Sequence, residues 1–258
     1  MNTILNIGRT GLHSVQRKMD AISDDIANVN TYGYKRKDIS FQELLTNEIY
    51  ENDVLLSDNS NNKNISMGAK SSLANVNFEQ GVIVESTGEF DMAIEGQGFF
   101  GVLDEEGNFF LTRNGSYHLN PDGSITNDDG YYLNLNYHIA PEDWGNGAMH
   151  ITAHGNIIKN TEDGPINLGR IILYNTSVLD SLIPLGEGRY LPNENVDLYN
   201  SVDYEEGFGD IRQYALEASN VDLTKSLTDM ITSQKSYSLS LKAVQTTDDI
   251  MSIINNIK

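Results

Sequence analysis

Two apolar seams at opposite ends of the chain constrain its fold more than any other feature. Near each end, apolar residues recur seven positions apart, with a second set between them. This spacing predicts an α-helix whose apolar stripe must be covered by another helix. The two ends are therefore predicted to pair with each other within the chain, or with the ends of neighbouring copies, and the pattern leaves both arrangements open.

The N-terminal seam is predicted to form one face of an assembly interface. Its members are Leu5, Leu12, Val15, Met19, Ile22, Ile26 and Val29. The helix should end near Asn30, because residues 30–33 are turn formers and Gly33 suits a left-handed backbone conformation.

The C-terminal seam is predicted to form the second face of that interface, and part of it is polar. Its members are Leu216, Leu223, Leu227, Met230, Gln234, Tyr237, Leu241, Val244, Met251 and Ile254. No Gly or Pro occurs from 210 to 258, which favours one long helix. Asn220 or Asp222 is predicted to cap its start.

Between the helices the hydrophobic period changes from seven to two. Residues 131–139 alternate apolar and polar, as expected for a half-buried strand. Further short strands are predicted, among them 81–85, 99–103 and 109–113. Turn sequences such as Asn114-Gly115 separate them. Short strands with frequent tight turns predict an antiparallel β domain.

These patterns predict an α+β fold in which discontinuous, coiled-coil-like terminal helices flank an inserted antiparallel all-β domain. The predicted domains are an N-terminal helix of an axial core (1–45), an extended linker (46–75), a β-rich outer domain (76–210) and a C-terminal helix of the core (211–258). The linker is assigned because residues 57–64 are polar turn formers.

Charge is concentrated in the middle of the chain. The net charge is −20, yet residues 1–44 carry +1 and residues 215–258 carry −1. Nearly neutral ends can pack against other chains at small electrostatic cost, whereas the acidic middle stays solvated. An acidic chain is a poor ligand for nucleic acid. No stretch is apolar enough to suggest membrane insertion, no signal peptide is expected, and the absence of cysteine excludes disulfides.

No motif predicts catalysis, and no cofactor or metal is expected. His150 and His154 have helical ligand spacing, but their neighbours indicate a strand and a turn, with no acidic third ligand nearby. Gly96-Gln97-Gly98 lacks the third glycine and the lysine of a phosphate loop, and strand residues follow it. The many carboxylates are best explained as a solvated surface.

Three stretches resemble the flagellar rod and hook axial proteins. They are 27–36, 91–100 with 111–117 behind it, and 216–223. The first carries the family motif, which comprises Asn28, Asn30, Thr31, Gly33, Tyr34 and Lys35. Both terminal motifs occur in order at opposite ends of one chain, which makes the resemblance to this family specific. Among its members the chain is most similar to rod proteins of the FlgG/FlgF type, because its length suits a rod subunit with one β domain better than a large hook protein with two. Lys235 departs from the family, which usually has Arg there.

The resemblance implies a structural subunit of the bacterial flagellar basal-body rod and not an enzyme. Such subunits polymerise head-to-tail through their terminal helices into a helical tube that transmits torque. The implied partners are other copies, neighbouring rod and hook proteins, and the flagellar type III export apparatus. The implied location is the basal body, in the cell envelope outside the cytoplasmic membrane, after export without a cleaved signal peptide.

Two alternatives remain open from the sequence. One lies within the family, namely a flagellar hook-type subunit. The other is a cell-wall glycan-binding or glycan-cleaving protein, suggested by thirteen Tyr residues and an acidic β domain. The second alternative leaves the apolar seams at both ends unexplained.

Overall fold

The computed structural model describes residues 2–43, 47–48, 64–65, 69–72, 75–145, 147–161, 164–193, 196–204 and 207–256. A helix stands at each end, α1 at Asn2–Ala27 and α2 at Leu223–Asn256. The region between them is built of short, mostly antiparallel strands, which confirms the α+β class.

The first strands in chain order are β1 Lys37–Asp38, β2 Phe41–Glu43, β3 Asn47–Glu48, β4 Asn64–Ile65, β5 Ala69–Ser71, β6 Asn75–Val76, β7 Ile83–Glu85, β8 Met92–Glu95, β9 Phe99–Leu103, β10 Phe109–Thr112, β11 Tyr117–Leu119 and β12 Ile125–Asn127. The remaining strands are β13 Tyr132–Leu133, β14 Leu135–Tyr137, β15 Met149–Ile151, β16 Asn156–Thr161, β17 Gly164–Ile171, β18 Leu173–Thr176, β19 Ile183–Gly186, β20 Arg189–Leu191, β21 Leu198–Asn200, β22 Asp210–Gln213 and β23 Ala215–Glu217. Short 3₁₀ turns occur at Pro141–Asp143 and Leu179–Ser181.

The chain divides into two compact units. Unit 1 comprises Met1–Ala27, Lys37–Asn75 and Asp222–Lys258, and unit 2 comprises Asn28–Arg36 and Val76–Val221. Most of the predicted linker 46–75 lies outside the described residues.

In unit 1, α1 and α2 pack against each other through small residues. A side chain added at Gly8 would come within 2.5 Å of Cγ2 of Val244, so the glycine allows close approach of the two helices. On α2, Ser226 and Ser233 are buried. The β2–β5 hairpin belongs to the same unit, and Lys18 Nζ lies 5.6 Å from the ring centroid of Phe41.

The second helix begins at Leu223, within the C-terminal segment 211–258 and directly after the predicted cap Asp222. The residues before the helix form β22, which pairs with β8, and β23, which pairs with β7. Leu216 continues the seven-residue spacing but is a buried strand residue. Asp222 caps α2, since its Oδ1 accepts a hydrogen bond from Lys225 N at 3.0 Å.

Unit 2 contains two larger sheets that share an apolar core, and a second, smaller cluster of buried residues comprises Phe99, Leu111, Leu182 and Tyr190. The nine-stranded sheet has the order β11-β12-β13-β9-β10-β20-β19, with β18 joining β9 to β21, and the four-stranded sheet has the order β14-β17-β16-β15. Both sheets contribute side chains to the core, including Phe100 and Val102 from β9 and Ile157 from β16. Trp144, the single tryptophan, is buried in the same core and donates from Nε1 to Ile139 O at 3.1 Å.

The alternating run 131–139 is divided between the two sheets and is not one strand. Its first half, β13, pairs with β9, whereas its second half, β14, pairs with β17. Asn134 lies at the break, where its backbone N donates to Gly101 O and its Nδ2 donates to the Tyr174 hydroxyl, both at 2.8 Å. Alternation predicted the burial of Leu133 and Leu135 but not the exposure of Tyr137, and it could not show that the partner strand changes.

The core of unit 2 can be tested with two isoleucines of opposite exposure. Ile157→Ala should lower the free energy of unfolding by about 2–5 kcal/mol, because Ile157 is fully buried. Ile183→Ala is the matched control, since Ile183 is 47% exposed, and it should change stability by less than about 0.5 kcal/mol. Urea unfolding followed by Trp144 fluorescence measures both. Equal losses would contradict this assignment of the core.

Candidate functional site

Three sequence motifs meet in the interior of unit 2. Lys35 follows the N-terminal turn, Arg113 follows β10, and Glu217 ends β23. All three side chains are almost completely buried, with 1%, 6% and 1% of their side-chain surface exposed, respectively. We call these three residues the charge cluster.

The Glu217 carboxylate lies between the two cations. Its Oε1 is 2.5 Å from Lys35 Nζ, and its Oε2 is 3.2 Å from Arg113 Nη1. Oε1 also accepts a hydrogen bond from the backbone N of Gly81 at 2.8 Å. A buried carboxylate with charged and backbone donors has its lost hydration replaced by fixed partners.

Each cation also donates to a backbone carbonyl, while Arg113 Nε is buried without a hydrogen-bond partner among the described residues. Lys35 Nζ donates to Glu79 O, and Arg113 Nη2 donates to Gly96 O, both at 2.8 Å. The Arg113 guanidinium also lies 5.2 Å from the ring centroid of Phe99. The cluster thus holds two positive groups against one negative group.

Burial is the main cause that shifts the protonation of the two cations. It lowers the pKa of the Lys35 ammonium, while the adjacent Glu217 carboxylate opposes the shift and the Arg113 charge adds to it. Burial likewise lowers the pKa of the Arg113 guanidinium, again opposed by Glu217. Both cations therefore depend on the same carboxylate to remain charged in the interior.

Backbone hydrogen bonds hold the same motifs together around the charges. Gly33 N donates to Glu217 O at 2.7 Å. Asn220 Oδ1 accepts from Arg36 N at 2.7 Å, and Asn220 Nδ2 donates to the carbonyls of Asn77 and Glu79, each at 2.9 Å. One carboxamide therefore links the segment after α1 to the segment before α2.

Gly33 is required by its conformation and by its surroundings. Its φ of +70° lies in the left-handed region that favours glycine. A Cβ there would also overlap the backbone of Arg113 and Asn114. The turn signal in the sequence predicted the conformation, whereas the contact with a strand about eighty residues later required the fold.

The family-motif residues fall into two groups. Gly33, Tyr34 and Lys35 are buried, and Lys35 belongs to the charge cluster. Thr31 donates from Oγ1 to Asn28 Oδ1 at 3.1 Å and so stabilises the turn that follows α1, while Asn30 is exposed.

The predicted N-terminal seam lies on α1 except for its last member. Ile22 is buried, Leu5, Leu12, Val15, Met19 and Ile26 are partly buried, and Val29 is partly buried in the turn after the helix end. Val29 is therefore not a helical position, because the helix ends at Ala27.

The predicted C-terminal seam is divided between covered and exposed positions of α2. Met230, Tyr237, Val244 and Met251 are partly buried, whereas Leu223, Leu227, Gln234, Leu241 and Ile254 are exposed. Four further positions of α2 are also covered. They are Ser226 and Ser233, which are buried, and Ser240 and Thr247, which are partly buried. A search for apolar residues could not identify this second set, because all four of its members carry hydroxyl groups.

The sequence patterns assigned no role to Arg113 or Glu217 and indicated Asn220 only as a possible helix cap, although all three lie in the stretches that carry the family resemblance. The available signal was a charged or amide residue inside a short motif otherwise made of strand and turn residues. Their pairing could not be predicted, because Glu217 is 182 positions from Lys35 and 104 from Arg113.

The described residues bear on two further kinds of site, a metal site and a membrane-spanning helix. Within the described ranges, no group of three His, Cys, Asp or Glu side chains is placed to hold a metal ion. His150 lies on β15 and His154 in the turn before β16, so the pair is not on a helix. Neither α1 nor α2, over the residues described, contains a stretch apolar enough to cross a bilayer.

Family models match three parts of the chain. Residues 5–35 match the flagella basal body rod protein model, residues 93–159 match the flagellar hook protein FlgE/F/G D1 domain, and residues 212–257 match the flagellar basal body rod FlgEFG protein C-terminal model. Together with two terminal helices flanking an antiparallel β region, these matches define a structural protein of the flagellar basal body.

Full-length relatives specify the family. The flagellar basal-body rod protein FlgG of Agrobacterium fabrum (strain C58) is 32% identical over 267 residues, covering 98% of this chain and 99% of the relative. FlgG of Borreliella burgdorferi is 28% identical, with 96% of each protein covered. The flagellar hook-basal body complex protein FlhP of Bacillus subtilis is also 28% identical, covering 96% of this chain and 97% of the relative.

The chain belongs to the family of the flagellar basal-body rod protein FlgG. It is a structural rod subunit of the basal body and assembles with other flagellar rod and hook proteins. The hook-subunit and cell-wall glycan alternatives are not favoured, because relatives matched along nearly the whole chain are rod proteins.

The contribution of the charge cluster to stability can be measured directly. Glu217→Gln should lower the free energy of unfolding of unit 2 by about 3–5 kcal/mol, because it leaves two buried cations without their counter-ion. Chemical unfolding followed by Trp144 fluorescence gives this value. Glu187→Gln is the control, since Glu187 pairs with Arg189 at 2.6 Å but is exposed, and the expected loss is below about 1 kcal/mol. Similar losses in both variants would remove the special role of Glu217.

Proposed function

We propose that this rod subunit polymerises head-to-tail through α1 and α2 into a helical tube that transmits torque. The observation that carries the proposal is the distribution of apolar side chains on α2. Apolar side chains lie both on the partly buried face of α2 and on its solvent-exposed sides.

The exposed sides of α2 carry large apolar residues along its length. Ile231 is 54% exposed, Leu227 is 48% exposed and Leu241 is 37% exposed; Leu239, Ile250, Ile253 and Ile254 are exposed as well. Contiguous exposed apolar residues normally mark a surface that a partner covers. Fully burying one such side chain contributes about 1.5–3 kcal/mol, so several contacts of this kind would offset the entropic cost of association.

Hydroxyl groups on the same helix are already hydrogen-bonded to its own backbone. Thr228 Oγ1 donates to Thr224 O, Thr232 Oγ1 to Thr228 O, and Ser236 Oγ to Thr232 O, each at 2.9 Å. Burying a hydroxyl costs most when its hydrogen bond is lost. These exposed polar positions can therefore be covered by a neighbouring helix at small desolvation cost.

Other copies of the chain are the partners that suit this surface. The terminal segments are nearly neutral, so copies can meet there with little repulsion, whereas the middle segments carry the net charge of −20. In the assembled rod we expect α1 and α2 of adjacent subunits to pair in a coiled-coil-like manner, and unit 1 to form the axial core. Contacts between two different surfaces do not close on themselves and produce a helical polymer.

Torque transmission would follow from the number and packing of these contacts. Close-packed interfaces deform little, because each small displacement forfeits dispersion contacts with several neighbouring atoms. A tube with many such interfaces in parallel would rotate as one body. We propose no enzymatic activity, because all three charges of the charge cluster are occupied by one another and by backbone groups.

Membership in the rod family supports export through the flagellar type III apparatus, without a cleaved signal peptide, to a site outside the cytoplasmic membrane. The exposed apolar residues of α2 are consistent with a helix completed only after export. Before assembly, this helix has fewer apolar contacts than its composition allows.

Leu241 allows the assembly surface to be tested at one position. In cells that lack the wild-type subunit, Leu241→Asp should prevent completion of the rod, because burying an uncompensated carboxylate in an interface is costly. Electron microscopy of isolated basal bodies measures the outcome. The purified variant should keep the stability of unit 2 within about 0.5 kcal/mol, followed by Trp144 fluorescence.

Leu241→Met is the matched control, because it conserves apolar character and approximate volume. It should give complete rods and normal swimming. Complete rods with Leu241→Asp would refute the assembly role of this face, and an equal loss of rods with Leu241→Met would indicate a packing requirement instead of a desolvated contact.

A further inference from the structure

We propose that the charge cluster is a latch that closes last, so that residues 28–36 dock onto unit 2 only when the strand that carries Glu217 is in place. The latch is a property of folding in unit 2. Its consequence for secretion rests on the proposed function, because it presumes that the chain crosses the export channel unfolded.

The residues of the charge cluster are far apart in sequence. Much of the body of unit 2 is built from neighbouring segments, such as the pairs β9–β10, β11–β12 and β16–β17. The cluster instead joins residues 182 and 104 positions apart. Closing a long loop costs more chain entropy than closing a short one, so local pairs are expected to form first.

β22 and β23 are the last two strands of unit 2 in the sequence. These strands come last in the sequence of the unit, yet they pair with β8 and β7 at its beginning. The backbone of Glu217 also provides the acceptor for Gly33 N. Until residues 210–221 are present, the segment at 28–36 therefore lacks Glu217 as ionic partner and as backbone acceptor for Gly33 N, and keeps only contacts such as Lys35 Nζ to Glu79 O and Asn77 N to Arg36 O.

Glu217 supplies the negative charge of the cluster. Without Glu217, docking Lys35 would place it near Arg113, and two like charges would be buried with no carboxylate between them. Burying unpaired charges is strongly unfavourable. The incomplete site therefore repels the N-terminal segment, and the complete site binds it.

During export, the latch would set the order in which segments of unit 2 dock. If the chain leaves its channel N-terminus first, α1 and the segment at 28–36 emerge long before Glu217. The latch keeps the segment after α1 undocked until almost the whole of unit 2 has passed. Asn220, three residues after Glu217, then bonds to Arg36 N, and both ends of unit 2 become fixed together.

Folding kinetics of the full-length protein test the order of events. Stopped-flow refolding and unfolding should be followed by Trp144, which lies in the core of unit 2. For Glu217→Gln we expect unfolding to accelerate by roughly 150- to 5,000-fold, which corresponds to its whole loss of stability, while refolding changes by less than about two-fold, which is a φ-value near zero. Ile157→Ala, within the locally paired β16, is the control and should slow refolding.

A slowing of refolding by Glu217→Gln that accounts for its whole loss of stability would overturn the proposal, since the cluster would then form early. If Glu217→Gln does not fold, Lys35→Met and Asn220→Ala provide the same measurement at the N-terminal and C-terminal sides of the latch. A φ-value near one for either variant would have the same meaning.

A double variant tests the repulsion between the cations. Adding Lys35→Met to Glu217→Gln removes one uncompensated charge, so the double variant should be more stable than Glu217→Gln alone. If the two losses of stability add, the cations do not repel across the site and the latch has no electrostatic basis. These measurements use the unassembled subunit, so they can fail while the rod-assembly experiments succeed, and the reverse also holds.

Discussion

One buried carboxylate holds the segment after α1 against the β strands of unit 2. Glu217 neutralises part of the charge of Lys35 and Arg113 in an interior where neither cation could otherwise remain charged at low cost. Its backbone also receives Gly33 N, so the same residue fixes a charge and a turn. The three family stretches are therefore parts of one site, although they lie far apart in sequence.

The two units meet their requirements for burial in different ways. Unit 2 has a closed apolar core, to which both of its larger sheets contribute, and its buried charges have partners. In unit 1, α2 has covered small residues such as Ser226 and Ser233, while Leu227, Ile231 and Leu241 are exposed. One unit can thus be stable as a monomer, and the other has apolar surface that further chains can cover.

The sequence predicts the elements of this fold better than their connections. Seven-residue spacing located both helices, and short apolar runs bounded by turn residues located strands such as β9. The cap signal at Asp222 located the start of α2, but the heptad spacing wrongly extended the helical seam to Leu216, which hydrogen bonds to β7 place in a strand. The covered stripe of α2 was missed because hydroxyl residues occupy it. The pairing of Lys35 with Glu217 is a tertiary contact, and no local pattern encodes it.

Glu217 of the charge cluster and the exposed apolar residues of α2 lie close together in sequence. Exposed apolar residues on α2 favour association as soon as the helix forms, whereas the cluster that orders residues 28–36 needs Glu217, six positions before that helix begins. The residues that complete unit 2 thus immediately precede those that offer the apolar surface. The exposed apolar residues of α2 and the completed β region of unit 2 therefore form at nearly the same time. Neither is exposed to solvent for long before the other has formed.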